Sequence, residues 1–538
     1  MNFALTPSVN IQRSKFNRVS SHKTSFNMGE IVPIYLDEVL PGDTRSIDYA
    51  SLIRMSTPIA PIMDDIYLDL FAFFVPNRIT WNEWKEFMGE NTDGPGAVDP
   101  NENIIPHCTV DLTQMLPGTL GNYLGLPYVE GNAGPVEVEV SELPLRGYYL
   151  IKNRWFRNQN VEGPIFVDTS EVSNSEILYN DHCEIASKKA DYFTKALPYA
   201  QKSVSPVMLP LGTSAPIITL NGGTVSNLEF TSNKIGAVSN VDLVANRNAG
   251  TNFVGITSTN SDLGNVYARF NSDNYKVDLT AATAATINQL REAFAIQRLF
   301  EKDALYGSRY WELLYAHFGV RSPDSTLQDP ELLGSAKIDI NINQVLQQSG
   351  YSDDAGSLLG AVGANSVSGS KGNLFTKSFV EHGYIFILAV ARHKETYAQG
   401  IEKHWTRQRR FDFYFPTFAK LGNQPVLNKE LFATGDATID DAVFGYQEAW
   451  AEYRYKPSRV SGLLNPVAPN NLSFWVLTQK FDTLPTLSTD FTKVNRLPIS
   501  RALVSGDTGP DFIADFAFKD EAVRPMPLHS IPGLTEYL

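Results

Sequence analysis

The sequence predicts a mainly β protein in which a few short helices interrupt a framework of strands, and three observations carry that prediction. Residues 66–75 (IYLDLFAFFV) are apolar on both parities, so a strand made of them has little polar face to offer water and must lie between two covering layers. Residues 379–391 (FVEHGYIFILAVA) form a second near-continuous apolar run, a natural partner for the first. The 37 Gly and 31 Pro, the abundant Asn, Ser and Thr, and an aromatic content of 11% favour many short strands joined by long loops over stacked helices.

A chain of 538 residues is long enough to bury a large core, so neither disulfides nor metal are needed for stability. Its two cysteines, Cys108 and Cys183, read as plain buried thiols of a protein made in a reducing compartment. The N-terminus lacks a charged segment followed by an apolar one, and no apolar run reaches the ~18 residues of a membrane span. A soluble chain, cytosolic when made and without membrane insertion, is expected. The formal net charge is −14, yet the first 29 residues contain no Asp or Glu and carry Arg13, Lys15, Arg18 and Lys23. Two readings fit that asymmetry: a solvated, disordered tail, or a basic arm that touches a polyanion.

After this arm (1–29), residues 30–40 (EIVPIYLDEVL) read as a strand with an edge-type proline at Pro33. Pro41, Gly42 and Asp43 make a turn into a second run at 44–55. The buried strand 66–75 follows and is stopped by Pro76 and Asn77. Thr80 and Glu83 then have the capping-box spacing that starts a helix through Trp81, Trp84 and Phe87. Residues 89–134 form a Gly, Pro and Asn-rich loop of a length that is usually functional or lies at an interface.

Residues 145–156 (LRGYYLIKNRWF) have helical spacing and end in Arg154, Trp155, Phe156 and Arg157, which either stack on unpaired bases or form a helix end packed into a core. Residues 191–202 are an aromatic knot without a catalytic grouping. From 212 to 278 the composition turns to Thr, Ser, Asn and Gly with isolated aliphatics, as in an insertion of exposed hairpins, one piece at 225–230, standing off the main body. Thr286 and Gln289 form a capping box opening a helix with Ile287, Leu290 and Phe294 on one face; a second helix runs through Tyr310 and Phe318 to Gly319. Residues 344–373 read as a second Gly and Ser-rich loop, and later strands are expected at 472–477 and 512–518.

The common catalytic signatures are missing: there is no HExxH, paired CxxC, GxSxG or GxGxxG, and residues 363–371 only resemble a phosphate loop because Ser370 displaces the required lysine. His382, His393 and His404 match no metal-ligand spacing, and Asp436, Asp440 and Asp441 read as a solvated acidic turn, not a calcium loop. No catalytic residue, cofactor or metal is expected. One cluster remains, His404, Trp405, Arg407, Arg409 and Arg410 followed by Phe411, Phe413, Tyr414 and Phe415. Arginines beside aromatics fit contact with a single strand of nucleic acid and equally fit a seam between subunits.

An ordered set of motifs covers most of the chain outside the low-complexity loops: FFVPNRITWNEW (73–84), RWFRNQN (154–160), DYFTKALPYAQK (191–202), TINQLREAFAIQ (286–297), the run 307–334, FVEHGYIF, RQRRFDFYFPTFAKLGNQPV (407–426), FGYQEAWAEYRYKPS (444–458) and RPMPLHSIPGL. Together they resemble the major capsid proteins of the microviruses, in particular the gokushovirus branch. The resemblance implies an eight-stranded antiparallel viral jelly roll over 30–538 with large loop insertions, copies of which build a T=1 icosahedral shell around a circular single-stranded DNA genome. It implies that 212–278 is an inserted surface protrusion at the threefold axes, used in host attachment. The implied partners are further copies of the chain, the genome, a small basic DNA-binding protein, an internal scaffolding protein and a host surface receptor. The implied location is the virion, assembled in the host bacterial cytoplasm. Arg13, Lys15, Arg18, Lys23, Arg407, Arg409 and Arg410 are the candidate DNA contacts. The alternative is a glycan-binding or glycan-active jelly-roll protein, which requires a carboxylate pair or an aromatic platform in a cleft, and the sequence singles out none.

Overall fold

The computed structural model describes residues 11–90, 104–131, 134–170, 172–174, 177–203, 287–346, 348, 360 and 362–530, with the backbone of seven short strands between 217 and 277. The chain divides into two compact units, 1–202 with 301–538, and 203–300.

Eight long strands organise the first unit: β1 (Ser14–Phe26), β2 (Val32–Val39), β3 (Thr44–Met55), β4 (Ile66–Pro76), β5 (Glu331–Ile340), β6 (Ser368–Ser378), β7 (Gly383–His393) and β8 (Phe512–Arg524). They pair antiparallel in two four-stranded sheets, ordered β1-β8-β3-β6 and β5-β4-β7-β2. Burial alternates along β3 and β8, as period-2 side chains on a sheet with one wet face require. Ile47, Ile53, Phe512 and Phe516 of the first sheet share one buried cluster with Leu68, Leu70, Ile385 and Ile387 of the second.

The apolar run 66–75 is β4, buried on both parities, and β7 pairs with it along its whole length. Helix α1 (Leu143–Ile151), extended by a π-helical turn Lys152–Phe156, covers the other face of this sheet. A Cβ on Gly147 of α1 would lie 3.0 Å from the Phe386 ring, so the helix backbone rests directly on β7. Phe156 meets Phe71 and Phe73 of β4 edge-on, with centroids 5.4 and 6.0 Å apart. This second cover is why the strand has no polar face.

Pro33 lies in β2, an edge strand, and the register skips opposite it, so its missing N–H leaves no gap in a central ladder. Gly42 takes φ of 89° in the turn between β2 and β3. Helix α2 (Ile287–Tyr306) and helix α3 (Tyr310–Phe318) form where expected, and Gly319 ends α3 with φ of 71°. Thr286 lies outside the described residues. Phe294 is 66% exposed, so the expected apolar face of α2 is uncovered there. No described helix is long and apolar enough to cross a membrane.

Four expectations are corrected. Residues 14–26, read as part of a tail or arm, are β1, paired antiparallel with β8 in register over thirteen positions. Thr80 and Glu83 do not box a single helix: two short helices, Asn77–Thr80 and Trp84–Phe87, break at Trp81, and the Thr80 hydroxyl donates to Asn77 O at 2.9 Å instead. Much of the Gly and Ser-rich stretch 344–373 is strand, a hairpin Ile342–Leu346 with Val362–Ser366 and the start of β6, because small polar residues suit the wet face that β6 shares with β3. Residues 472–477 hold a 3₁₀ turn at Ser473–Trp475 in place of a strand.

The unit 203–300 contains Ile217–Thr219 paired with Tyr275–Val277, Leu243–Arg247 paired with Val254–Ser258, and a three-stranded sheet of Val266–Arg269, Glu229–Ser232 and Gly236–Val238. Residues 225–228 of the expected piece 225–230 lie outside the described residues.

Candidate functional site

The candidate cations fall into two sets, and no hydrogen bond or ion pair joins them among the described residues. In the first, pairing with the acidic strand β8 decides what each cation does. Lys15 Nζ lies 2.7 Å from Glu521 and Lys23 Nζ 3.5 Å from Asp515, all on the wet face. Arg13, preceding β1, is exposed. Arg18 points the other way, bonding Asp520 through Nε at 3.0 Å, Tyr35 Oη at 3.2 Å and the Asp37 carboxylate.

Arg18 thereby joins a buried cluster centred on Arg45, whose side chain is fully buried. Arg45 Nε donates to Asp520 at 2.9 Å and Nη2 to Tyr35 Oη at 3.2 Å, with Asp37 also in contact; Arg524 Nε lies 3.0 Å from Asp43. Burial pulls the Arg45 guanidinium down, and the hydrogen bond to Asp520 and the charge of Asp37 overcome it, leaving a net rise. Asp37 and Tyr35 belong to β2, whereas Arg18, Arg45 and Asp520 belong to β1, β3 and β8. The cluster is a polar clamp between the two sheets.

The second set lies on the irregular segment 403–421, built from 3₁₀ turns Lys403–Thr406, Arg410–Asp412 and Pro416–Phe418. Arg407 is turned inward: its Nη2 lies 2.9 Å from Glu452, and its guanidinium stacks over Tyr453 at 4.6 Å and Phe413 at 5.6 Å. The Asp412 carboxylate accepts the backbone N–H groups of Gln408 and Arg409, both at 2.8 Å, which holds its carboxyl below the usual range and fixes the turn. Arg409 and Arg410 are exposed, Arg410 lying 5.7 Å over the Phe415 ring, beside Phe411 at 70% exposure. Uncovered rings beside solvent-facing arginines can stack on unpaired bases or on a protein surface.

The run after α1 has the packed role: Arg154 is paired with Asp329 at 2.9 Å, Trp155 Nε1 donates to Pro330 O at 3.0 Å, and Arg157 donates to Glu162 O at 2.7 Å. The three histidines stand in separate surroundings, His382 against Trp84, His393 buried 3.7 Å from Glu395, and His404 3.2 Å from Glu402. Among the described residues no three His, Cys, Asp or Glu side chains are grouped to hold a metal ion. Asp436 caps Thr438 N at 2.9 Å and Asp440 accepts from Thr434 N at 2.8 Å, as in a local acidic turn. Burial pushes the Cys108 thiol up to about 11 and Cys183 well above its ordinary value, so neither is a ready thiolate.

A cavity of about 510 Å³ opens beside this segment, walled by Tyr192, Tyr397, Glu402, Trp405, Glu430 and Tyr453, of which the cluster singled out in the sequence supplies Trp405. Tyr192 Oη donates to Glu430 Oε2 at 2.9 Å, and burial raises the Glu430 carboxyl. The walls come from segments more than two hundred residues apart, so no local spacing could have revealed them. The cluster at His404, Trp405 and Arg407 and the repeated Tyr and Glu of 444–458 are the local hints.

Comparison with known proteins matches residues 4–534 to the family described as capsid protein (F protein). Capsid protein VP1 of Bdellovibrio phage phiMH2K is 39% identical, covering 99% of this chain and 97% of that protein. Capsid protein VP1 of Chlamydia phage 1 and of Spiroplasma virus 4 are each 36% identical, again covering 99% of this chain and 97% of each relative.

Proposed function

The chain belongs to the phage capsid protein (F protein) family, as a capsid protein of the gokushovirus kind, and on that basis we propose that its copies close into a T=1 icosahedral shell around circular single-stranded DNA. The observation that carries this reading is similarity to viral capsid proteins along essentially the whole chain. Two four-stranded sheets of order β1-β8-β3-β6 and β5-β4-β7-β2 support reading the strand framework as the eight-stranded jelly roll of viral capsids. The role is structural, not enzymatic, and the protein's place is the virion, assembled in the host cytoplasm.

A subunit of net charge −14 must concentrate positive charge inward, or obtain it from another protein, to enclose a polyanion. We assign DNA contact to Arg13, Lys15, Lys23, Arg409 and Arg410, which are exposed, and not to Arg18 and Arg407, whose charges are committed to Asp520 and Glu452. A small basic DNA-binding protein supplies further charge, and an internal scaffolding protein guides assembly. The insertion 212–278 is the threefold protrusion that meets the host receptor. Electron microscopy of the chain produced together with its scaffolding protein tests the reading: uniform spherical shells are expected, both from the full chain and from one in which 214–274 is replaced by a short bridge, with host-cell attachment lost only in the second. Absence of closed shells from the full chain overturns the proposal, and their absence only from the shortened chain makes the insertion an assembly contact.

A further inference from the structure

The cavity beside segment 403–421 has a chemistry that neither shell closure nor DNA contact uses. Its volume of about 510 Å³ is that of a small-ligand pocket. The walls are aromatic: Tyr192, Tyr397, Tyr453 and Tyr455 line it, and Trp405 stands at the same cavity 71% exposed, its ring in contact with His404 at 4.9 Å. An indole left this open is an apolar platform still to be covered.

The polar groups of the wall are charged and paired, four cations sharing three carboxylates. Arg407 faces Glu452 at 2.9 Å, Lys456 and Arg459 face Glu402 at 3.2 and 3.9 Å, and Lys403 faces Glu430 at 3.9 Å. Each cation therefore faces a carboxylate, and the two that share Glu402, Lys456 and Arg459, stand 79% and 70% exposed, so a phosphate entering the pocket would meet three carboxylates against one unmatched positive charge that water screens. Paired ions instead offer acceptors and donors side by side, which suits a ligand whose hydroxyls both donate and accept. Flat apolar walls with such a polar rim suit a ring with apolar C–H faces and equatorial hydroxyls.

We propose that this cavity is a carbohydrate subsite taking one pyranose ring of a neutral glycan, with Trp405 as its stacking platform. The site lies outside the insertion 212–278, so it gives the capsid subunit a glycan contact distinct from the protrusion and does not depend on how that protrusion acts.

Saturation-transfer-difference NMR on assembled particles tests it, with the methyl glycosides of glucose, galactose, mannose and N-acetylglucosamine as probes. At least one glycoside is expected to receive saturation. Trp405→Ala should weaken its binding about two- to tenfold, the worth of one aromatic stack, while Trp405→Phe retains part of it. Phe166→Ala, at an exposed ring remote in sequence from the cavity walls, should leave binding unchanged. If W405A yields no particles, the same comparison is made on dissociated subunits. Absence of transfer to all four glycosides, or transfer that W405A leaves unaltered, overturns the proposal. So does transfer to pentathymidylate in their place, which would make the pocket a nucleobase site. Transfer to the wild-type dissociated subunit but not to wild-type particles overturns it as well, because the cavity would then be closed by a neighbouring subunit.

Discussion

Arg45 has no exposed surface, yet it carries a full charge among Asp37, Asp520 and Asp43, with Arg18 and Arg524 closing the cluster. Such a cluster is worth little when replaced wholesale by apolar groups, but removing one partner strands the rest in a place where water cannot compensate. Arg45→Met is accordingly expected to cost about 3–5 kcal/mol, read from urea unfolding of the dissociated subunit. Exposed Lys15→Met, which breaks the pair with Glu521, should fall within about 0.5 kcal/mol of wild type in the same measurement. Glu430 gives a pH prediction of the opposite kind from a salt-bridged carboxylate. Burial raises its folded pKa above the ordinary 4.5, with Lys403 and Leu427 N–H pulling it back. The fold therefore holds the proton more tightly than the unfolded chain does, so this contribution is complete below 4.5 and is lost as pH rises through the folded value. Glu430→Gln should remove that loss, so that the urea midpoint of wild type falls relative to the variant as pH rises above the ordinary 4.5. Parallel profiles would show that Glu430 titrates alike in both states.

Strand β1 shows how far one element can be polar and still belong to a sheet. Apart from Phe26, which stacks on Phe512 at 5.6 Å, its side chains are at least partly exposed, and β8 supplies both its backbone partners and its counter-charges. Substitutions in this one strand pair should divide sharply by face. Val19, 76% exposed and opposite Lys519, is expected to tolerate Val19→Thr within about 0.5 kcal/mol. Phe512, fully buried, is expected to lose about 3–5 kcal/mol as Phe512→Ala, measured by the same denaturation. Equal effects at the two positions would contradict the pairing register. The difference between the arm expected at 14–26 and the strand found there has the same origin. Without a buried face there is no apolar period to detect, and the charge match between Lys15, Lys23 and β8 is visible only once the two strands, some five hundred residues apart, are brought together.

For the molecule as a whole, the proposed DNA contacts make a salt-dependent claim. Neutralising Arg409 and Arg410 together should flatten the log–log dependence of single-stranded DNA affinity on salt by up to ~0.7 for each phosphate that is no longer neutralised. Neutralising Arg18 should leave that slope unchanged and lower stability, because Arg18 closes the clamp on Asp37 and Asp520. An unchanged slope in the Arg409 and Arg410 variant would remove segment 403–421 from the DNA interface and leave the subunit seam as its role. The reversed pattern for Arg18 would mean that the clamp opens when DNA binds.

Sequence was enough to place the strands with a strong apolar signature, β4 and β7, together with their pairing, the turn at Gly42, the edge proline at Pro33 and the helix end at Gly319. Each rests on a local rule, hydrophobic period or backbone conformation, that needs no distant partner. The ordered motifs also carried the resemblance to microvirus capsid proteins. Which charges are free and which are already paired emerged only from the folded chain: Arg18 and Arg410 look alike in sequence, but one is held by carboxylates from β2 and β8 and the other faces water. Folding likewise turned the Gly and Ser-rich run at 368–378 into β6, and it gathered Tyr192, Glu430, Trp405 and Tyr453 around one cavity. The reason is the same in each case. Burial, charge pairing and pocket walls are set by residues far apart along the chain, and sequence spacing reports only on neighbours.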